Sequence, residues 1–223
     1  MNCDLTTRAL TLVGFRPEHW HYDYPECYAE FNDKLKEVAI SQGKPNSILL
    51  GGIVGTGKTA MLAILCKSMF DDYRMRISRR NYNDVNNKVI MAEMIKSDTE
   101  LVPDIFGSWV KYCTHGELSE IWSHEFDDNS DLPDEKMFKE AQVLFLDDLG
   151  TAPDTQSGRN MAKLEELIDW RWSNRMKTFI ASNISLKDFW KPRNSQWHRI
   201  ARRLSEPNWM FYQQLTHRFG GKR

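Results

Sequence analysis

Eight consecutive residues, Gly-Ile-Val-Gly-Thr-Gly-Lys-Thr at positions 52–59, constrain this chain more than any other stretch. They fill every position of the pattern G-x-x-x-x-G-K-[ST], whose glycines let a backbone approach phosphate oxygens without a Cβ clash. Residues 47–50 before the pattern are a mostly apolar run of strand length, and residues 60–65 after it are typical of a helix. The order of strand, loop and helix predicts a phosphate site, because a ligand-free glycine turn usually lacks this setting.

The side chains of this loop have separate expected roles. Lys58 is placed to reach the β- and γ-phosphates of a nucleotide, and the Thr59 hydroxyl is placed to bind Mg²⁺. The backbone N–H groups can surround the anion. The residues predicted to bind nucleotide here are Gly52, Gly55, Thr56, Gly57, Lys58, Thr59 and Ala60. The segment therefore predicts a nucleotide and a magnesium ion as ligands.

A second signal lies at residues 143–148, where the apolar run Val-Leu-Phe-Leu ends in two aspartates. Asp147 is expected to hold the shell of the metal ion, and Asp148 to orient or deprotonate an attacking water. Taken alone, the stretch fits a core strand followed by a solvated acidic turn equally well. Combined with the phosphate loop, it favours a site that hydrolyses a nucleotide.

Composition excludes several classes of protein. A chain of 223 residues suffices for one sizeable domain, and a net charge of −1 gives no bulk attraction to nucleic acid. The four cysteines and six histidines lack ligand spacing, which disfavours zinc and disulfide frameworks. No apolar run reaches the roughly 20 residues of a membrane span, and residues 1–4 do not begin a signal peptide. We therefore expect a cytoplasmic protein without membrane contact.

Predicted strands alternate with predicted helices along most of the chain. The strands are expected at residues 47–50, 88–92, 143–148, 177–181 and 209–212. One helix is expected to begin near Tyr28 and end before Gly43, and an amphipathic helix is expected at about residues 161–172. This order predicts an α/β fold with a parallel five-stranded sheet covered by helices on both faces, and with ligands at the carboxyl ends of the strands. Residues 98–135 predict only a helix and an exposed loop.

The N-terminal segment, residues 1–25, is distinguished by an aromatic cluster around two prolines. Its members are Phe15, Trp20, His21, Tyr22 and Tyr24. We expect this segment to be an ordered but irregular arm that packs on the core. The remaining residues, 26–223, are expected to form the nucleotide-binding domain.

Five segments, taken in order, resemble the AAA+ ATPases of the DnaC helicase-loader and IstB transposition-helper family. They are residues 52–59, the Leu-Asp-Asp-Leu-Gly run at 146–150, Leu-Ile-Asp-Trp-Arg at 167–171, Ala-Ser-Asn at 181–183 and Arg-Ile-Ala-Arg-Arg-Leu at 199–204. The likeness runs from about residue 28 to the C-terminus. It implies a P-loop AAA+ fold whose helical lid is reduced or absent, since little sequence follows the last predicted strand.

The resemblance also implies site residues beyond the two motifs. Asn183 occupies the sensor 1 position, although a helix cap for residues 184–187 is an alternative. Arg203 matches the arginine finger that a neighbouring subunit inserts to stabilise charge on the transferring phosphoryl group. Arg199, one turn earlier, is expected on the same face of the helix, and Arg218 resembles a late arginine of the family. A solvated arginine-rich face remains an alternative for this helix.

A basic patch with aromatic neighbours follows the phosphate loop. It comprises Arg74, Arg76, Arg79 and Arg80, with Tyr73 and Tyr82. Such a patch can follow a phosphate backbone while its rings stack on bases, although a solvated surface loop is the commoner meaning. The resemblance favours DNA contact and adds Lys96 as a minor candidate.

These observations lead to one functional hypothesis and two alternatives. The hypothesis is an ATPase that oligomerises, on single-stranded or duplex DNA, with ATP held between one subunit's motifs and the next subunit's Arg203. Its protein partner would be a helicase or a transposase. The alternatives are a small P-loop kinase acting on a metabolite, and a nucleotide-dependent adaptor with little hydrolysis. The adaptor stays open because Asp148 has a shorter arm than the glutamate of most AAA+ ATPases.

Overall fold

The structure is a computed structural model. It describes residues 5–19, 33–41, 43–84, 101–124, 132–152, 158–191 and 197–216, with backbone alone for 78–84. The strand predicted at 88–92 lies outside these residues.

A five-stranded parallel sheet forms the centre of the molecule, with strand order β2-β3-β4-β1-β5. The strands are β1 (Ser47–Gly51), β2 (Val110–Thr114), β3 (Val143–Leu149), β4 (Lys177–Ser182) and β5 (Met210–Gln214). The predicted strands at positions β1, β3, β4 and β5 are confirmed. Strands β1, β4 and β3 are parallel neighbours, so their carboxyl ends lie side by side at one edge of the sheet.

Helices cover the sheet on both faces. They are α1 (Leu5–Val13), α2 (Asp33–Ile40), α3 (Lys58–Asp84), α4 (101–109), α5 (His115–Ser123), α6 (Glu135–Glu140), α7 (Arg159–Ser173), α8 (Leu186–Phe189) and α9 (His198–Leu204), with a 3₁₀ turn at Pro17–His19. Helices α1 to α4 pack on one face, and α5 to α9 pack on the other. The predicted helix at 161–172 is confirmed as α7, and the helix expected before Gly43 is confirmed for its described part, α2.

The sheet is buried on both sides because successive strand residues point to opposite faces. In β1, the side chains of Ile48 and Leu50 join the cluster under α1 to α4, whereas Leu49 joins the cluster under α5 to α9. All three side chains are fully buried. A parallel strand that is covered on both faces consists of a continuous run of apolar residues. Such runs are visible in the sequence, which explains why β1, β3 and β4 were predicted.

The N-terminal segment is more regular than predicted. Residues 5–13 form a helix, so the expectation of an irregular arm was wrong for these residues. The expectation of packing on the core is confirmed for the described part, because Ala9, Leu10 and Val13 are buried in the cluster that also contains Phe15. The other members of the aromatic cluster, Trp20, His21, Tyr22 and Tyr24, lie outside the described residues. The domain division at residue 25 stays a prediction.

The second strand lies where the sequence predicted only a helix and a loop. Strand β2 follows α4 directly and leads directly into α5. The start of α5 is a capping box, in which Thr114 Oγ1 accepts from the Glu117 N–H at 3.1 Å and Glu117 Oε2 accepts from the Thr114 N–H at 2.7 Å. The pattern Thr-x-x-Glu is a helix-start signature, so it could have located the end of this strand.

Arg171 of α7 is a fully buried cation that ties α6 to β4. Its guanidinium donates five hydrogen bonds of 2.5 to 3.0 Å, to the carbonyl oxygens of Phe138, Lys139, Ala141 and Lys177 and to the Thr178 hydroxyl. Three of these carbonyls lie at the C-terminal end of α6, where no intrahelical donor reaches them. Arg171 belongs to the 167–171 segment of the resemblance, and the structure gives that residue a structural role.

Replacing Arg171 with methionine is expected to lower the free energy of unfolding by about 3–5 kcal/mol, since it leaves several buried carbonyls without a donor. Urea denaturation followed by circular dichroism measures this loss. Arg175→Met, at an exposed position just after the same helix, is the matched control and should change stability by less than about 0.5 kcal/mol. A loss below about 1 kcal/mol for Arg171→Met would contradict the proposed role.

Candidate functional site

The phosphate loop connects β1 to the N-terminus of α3. A Cβ at Gly52 would lie 2.7 Å from Thr56 Oγ1 and 2.9 Å from the Leu215 carbonyl oxygen, so no larger residue fits there. Gly55 has φ +84°, a left-handed conformation that other residues rarely adopt. The Thr56 hydroxyl donates to the Ile53 carbonyl oxygen at 2.9 Å, which closes the turn. The loop therefore needs its glycines for geometric reasons.

Lys58 lies buried against the inside of this loop. Its Nζ donates to the carbonyl oxygens of Gly52 at 2.8 Å and Ile53 at 3.0 Å. Burial lowers the pKa of Lys58, and the nearby carboxylates of Asp147 and Asp148 oppose that shift. The ammonium group is thus held between the loop and the two aspartates, where an anion would meet it.

Asp147 is fixed from two sides at the end of β3. Its Oδ1 accepts from the Asp148 N–H at 2.8 Å, and its Oδ2 accepts from the Tyr112 hydroxyl at 3.1 Å. Burial is the main cause that raises the pKa of Tyr112, and the Asp147 carboxylate adds to it, so the phenol stays a donor. Sequence reasoning missed Tyr112 because β2 itself was not predicted.

Asp148 occupies a β-bulge. Leu146 pairs with Ile180 and Leu149 pairs with Ser182, so β3 has one residue more than β4 across this interval. Asp148 has φ +53°, which is left-handed for a residue with a side chain. A bulge redirects a side chain, and here it turns the carboxylate toward the phosphate loop. Burial raises the pKa of Asp148, and Asp147 raises it further, while Lys58 acts against both.

Two clefts of about 310 Å³ each adjoin at this edge of the sheet. The first is lined by Val54, Gly55, Gly57, Lys58, Thr59, Ala60, Asp148 and Asn183. The second is lined by Arg16, Thr59, Tyr112, Thr114, Gly116, Asp147, Asp148 and Thr151. Thr59 and Asp148 are common to both, so the predicted metal and phosphate groups surround one continuous space. Larger clefts of about 570 and 400 Å³ lie away from the loop, so size alone does not identify the site.

Asn183 lies at the tip of β4, between the phosphate loop and the two aspartates. The alternative expectation, that it caps the next helix, was wrong. Ser185 is the cap of α8, since its side chain accepts from the Asp188 N–H at 3.1 Å. Asn183 instead lines the first cleft together with Lys58, as a contact to a terminal phosphate requires.

The two arginines of α9 lie on one face, as their spacing predicted, and both contact α7. Arg199 pairs with Glu165 at 2.9 Å, and Arg203 Nε donates to Asp169 at 2.5 Å. The Arg203 guanidinium also lies 3.9 Å from the ring centre of Trp172. Neither arginine lines the two clefts. Arg218 lies outside the described residues.

The basic patch is partly helical and partly engaged in packing. Arg74 and Arg76 lie on α3, which corrects the alternative of a surface loop, and each pairs with an aspartate of the preceding turn. The Tyr73 ring packs on Phe106 and Trp109 with ring centres 5.9 and 5.5 Å away, so it does not stand free for base stacking. The side chains of Arg79, Arg80, Tyr82 and Lys96 lie outside the described part of the chain.

Replacing Tyr112 with phenylalanine is expected to weaken Mg²⁺ binding at this site by about tenfold, because it removes the hydrogen bond that orients Asp147 but keeps the ring. The measurement is calorimetric titration with Mg²⁺ in the presence of a nucleoside triphosphate. Tyr73→Phe, on α3 and away from both clefts, is the control. An unchanged Mg²⁺ dependence in Tyr112→Phe would show that Asp147 does not need this donor.

Comparison with known proteins supports the fold. A scan of the sequence against models of protein families found no match. The crystal structure of the DnaC helicase loader matches 88% of this chain and 99% of its own, with 15% identity and a TM-score of 0.55. The crystal structure of DnaI matches 94% of this chain and 97% of its own, with 16% identity and a TM-score of 0.56.

A structure of AMPPCP-bound DnaA from Aquifex aeolicus also matches, with 15% identity over 82% of this chain and 44% of its own, and a TM-score of 0.47. Among the described residues, no helix is both long and apolar enough to cross a membrane. At 15 and 16% identity, the matches to the DnaC helicase loader and DnaI show a similarity of fold. The chain thus has an α/β P-loop fold similar to the folds of the DnaC helicase loader and DnaI structures.

Proposed function

We propose that this protein binds and hydrolyses ATP as an AAA+ switch. One observation carries the proposal: the ends of β1, β4 and β3 bring a phosphate loop, an amide and two carboxylates around one space. In open α/β sheets, ligands bind at the carboxyl ends of the strands. The likeness in fold to the DnaC helicase loader supports the same conclusion.

The residues present fit a nucleoside triphosphate with Mg²⁺. No side chain covers the loop backbone at Gly55, where a Cβ would point into open space, so backbone N–H groups can contact phosphate oxygens there; the Lys58 ammonium lies inside the loop. Thr59 and Asp147 supply the hydroxyl and carboxylate oxygens that Mg²⁺ prefers. When bound, Mg²⁺ would offset the negative charge of the β- and γ-phosphates.

Hydrolysis would depend on Asp148 and Asn183. The raised pKa of Asp148 makes its carboxylate a stronger base for the proton of an attacking water. The Asn183 amide faces the same cleft and can orient that water or the terminal phosphate. This division of roles favours hydrolysis over an adaptor without turnover.

Assembly would complete the site. In a cytoplasmic homo-oligomer, Arg203 of one subunit would reach the nucleotide of the next, and Arg199 and Arg218 would support it. The side chain of Arg199 is 81% exposed on the outer surface of α9, which leaves this helix open to a neighbouring subunit. We propose DNA as the assembly surface and a helicase, or alternatively a transposase, as the protein partner.

ATP hydrolysis and sedimentation of the purified protein, with and without single-stranded and duplex DNA, test the proposal. We expect ATP to convert small species into larger ones and DNA to increase turnover. A monomer that transfers the terminal phosphoryl group of ATP to a small-molecule acceptor, giving ADP and the phosphorylated acceptor, would indicate the kinase alternative. ATP binding without turnover would indicate the adaptor.

A further inference from the structure

The residues that follow α1 bring an arginine to the site from outside the predicted motifs. Gly14 has φ +112°, and a Cβ there would lie 3.0 Å from the Tyr112 carbonyl oxygen. The neighbouring Phe15 side chain is 2% exposed, and its ring centre lies 4.2 Å from that of Tyr112 and 5.6 Å from that of Phe145. The chain is therefore anchored on β2 and β3 immediately before Arg16.

Helix α1 is held in place by further contacts with α4. The Arg8 guanidinium pairs with Asp104 at 2.5 Å. A Cβ at Gly107 would lie 2.6 Å from Leu12 Cβ, so the two helices touch at van der Waals distance. These contacts fix the position of Arg16 relative to the sheet.

Arg16 lines the second cleft together with Thr59, Asp147 and Asp148, the residues expected to surround the metal ion and terminal phosphate. Among the described residues that line the two clefts, Lys58 and Arg16 are the cations. Lys58 faces the phosphate loop, whereas Arg16 approaches from the side of β2. A triphosphate bound at Lys58 would therefore meet a second positive charge at its opposite side.

The ion-pair partner of Arg16 in this structure is Glu117, which would compete only weakly with a phosphate group for the guanidinium. Its Nη2 contacts Glu117 Oε1 at 3.2 Å, and about half of each side chain is exposed. Ion pairs of this kind contribute about 0–1 kcal/mol. The other carboxylate oxygen of Glu117 is engaged in the capping box of α5. A phosphate group offers the guanidinium two oxygens and more negative charge, which favours exchange.

We propose that Arg16 binds the terminal phosphate of a nucleoside triphosphate within its own subunit and leaves Glu117 when it does so. This inference rests on the proposed function, and it assigns a nucleotide contact to a residue that precedes the segment covered by the family resemblance. Because ADP lacks the terminal phosphate, Arg16 would make this protein distinguish ATP from ADP.

Equilibrium binding of AMPPCP and ADP with Mg²⁺ tests the proposal in the full chain. Arg16→Ala is expected to weaken AMPPCP binding by about tenfold or more, the loss of one charged hydrogen bond, and to change ADP binding by less than about twofold. Arg16→Lys should retain part of the affinity. Glu117→Gln should strengthen AMPPCP binding, because glutamine keeps the capping box but not the charge.

Lys34→Ala on α2 is the control, since it removes an exposed ion pair that neither positions Arg16 nor lines the two clefts, and it should leave both affinities unchanged. If the unaltered protein bound neither nucleotide, the proposed function would fail. If it bound both, and Arg16→Ala lost neither or lost both equally, the role of Arg16 would be overturned while the proposed function stood. Circular dichroism of each variant confirms that it is folded.

Discussion

Replacing Lys58 with methionine is expected to weaken ATP binding at least about 100-fold and to abolish hydrolysis. The reason is that methionine keeps the length of the side chain but removes the only ammonium group that the structure, over its described residues, places inside the phosphate loop. Two charge-assisted hydrogen bonds to phosphate account for a loss of this size. Titration with a fluorescent ATP analogue measures it.

The fold should survive this substitution, because the hydrogen bonds that Lys58 makes within the described part of the chain go to two loop carbonyls. Lys67→Met, on the same helix but away from both clefts, is the matched control and should bind ATP normally. ATP binding by Lys58→Met at the affinity of the unaltered protein would refute the assignment of the phosphate site.

Replacing Arg203 with alanine is expected to lower ATP turnover about 1,000-fold while ATP binding is retained, as for an arginine finger supplied by a neighbouring subunit. Steady-state hydrolysis at protein concentrations where the oligomer forms measures the turnover. The exposed neighbour Arg202→Ala serves as the control for charge on the same helix. Unchanged turnover in Arg203→Ala would exclude the shared site.

Mixing two inactive variants gives a sharper result. Arg203→Ala has an intact phosphate loop, and Lys58→Met has an intact Arg203. If the site is shared, the mixture recovers part of the activity, because some interfaces join the intact loop of one chain to the intact arginine of the other. A mixture as inactive as its components would indicate that Arg203 acts within its own subunit.

The contacts of Arg203 within its own chain require a second control. Arg203 pairs with Asp169 and lies over Trp172, so its loss could act through the packing of α9 on α7. Asp169→Asn weakens the ion pair but leaves the arginine in place. If Arg203 is the finger, this variant keeps its turnover, whereas a purely structural arginine predicts equal losses in both variants.

The elements predicted correctly from the sequence are those marked by a pattern of neighbouring residues. The phosphate loop has a fixed pattern, and β3 and β4 are apolar runs that pack on both faces. Strand β2 was missed because neither glycine nor proline separates it from α4 or α5, and because Lys111 interrupts its apolar character. Only the capping box at Thr114 marks one of its ends.

The sequence predicts those residues of the candidate site that belong to a motif. It does not reveal the residues that tertiary packing alone brings to the clefts. Tyr112 reaches Asp147 because β2 pairs with β3 in a register that no local pattern specifies. Arg16 reaches the same cleft because Phe15 is buried between Tyr112 and Phe145. The bulge at Asp148 depends on the register of β3 with β4, which is likewise a property of the folded chain.

Asp148 has a left-handed backbone conformation, which lowers the stability of the folded chain at a residue proposed to act in hydrolysis. A residue with a side chain in that conformation costs about 1 kcal/mol relative to glycine, and aspartate is among the residues that tolerate it best. Glycine at this position would therefore make the folded chain more stable while removing the carboxylate that faces the phosphate loop. The proposed role of Asp148 in activating water would account for a strained residue at a position where stability alone does not favour aspartate.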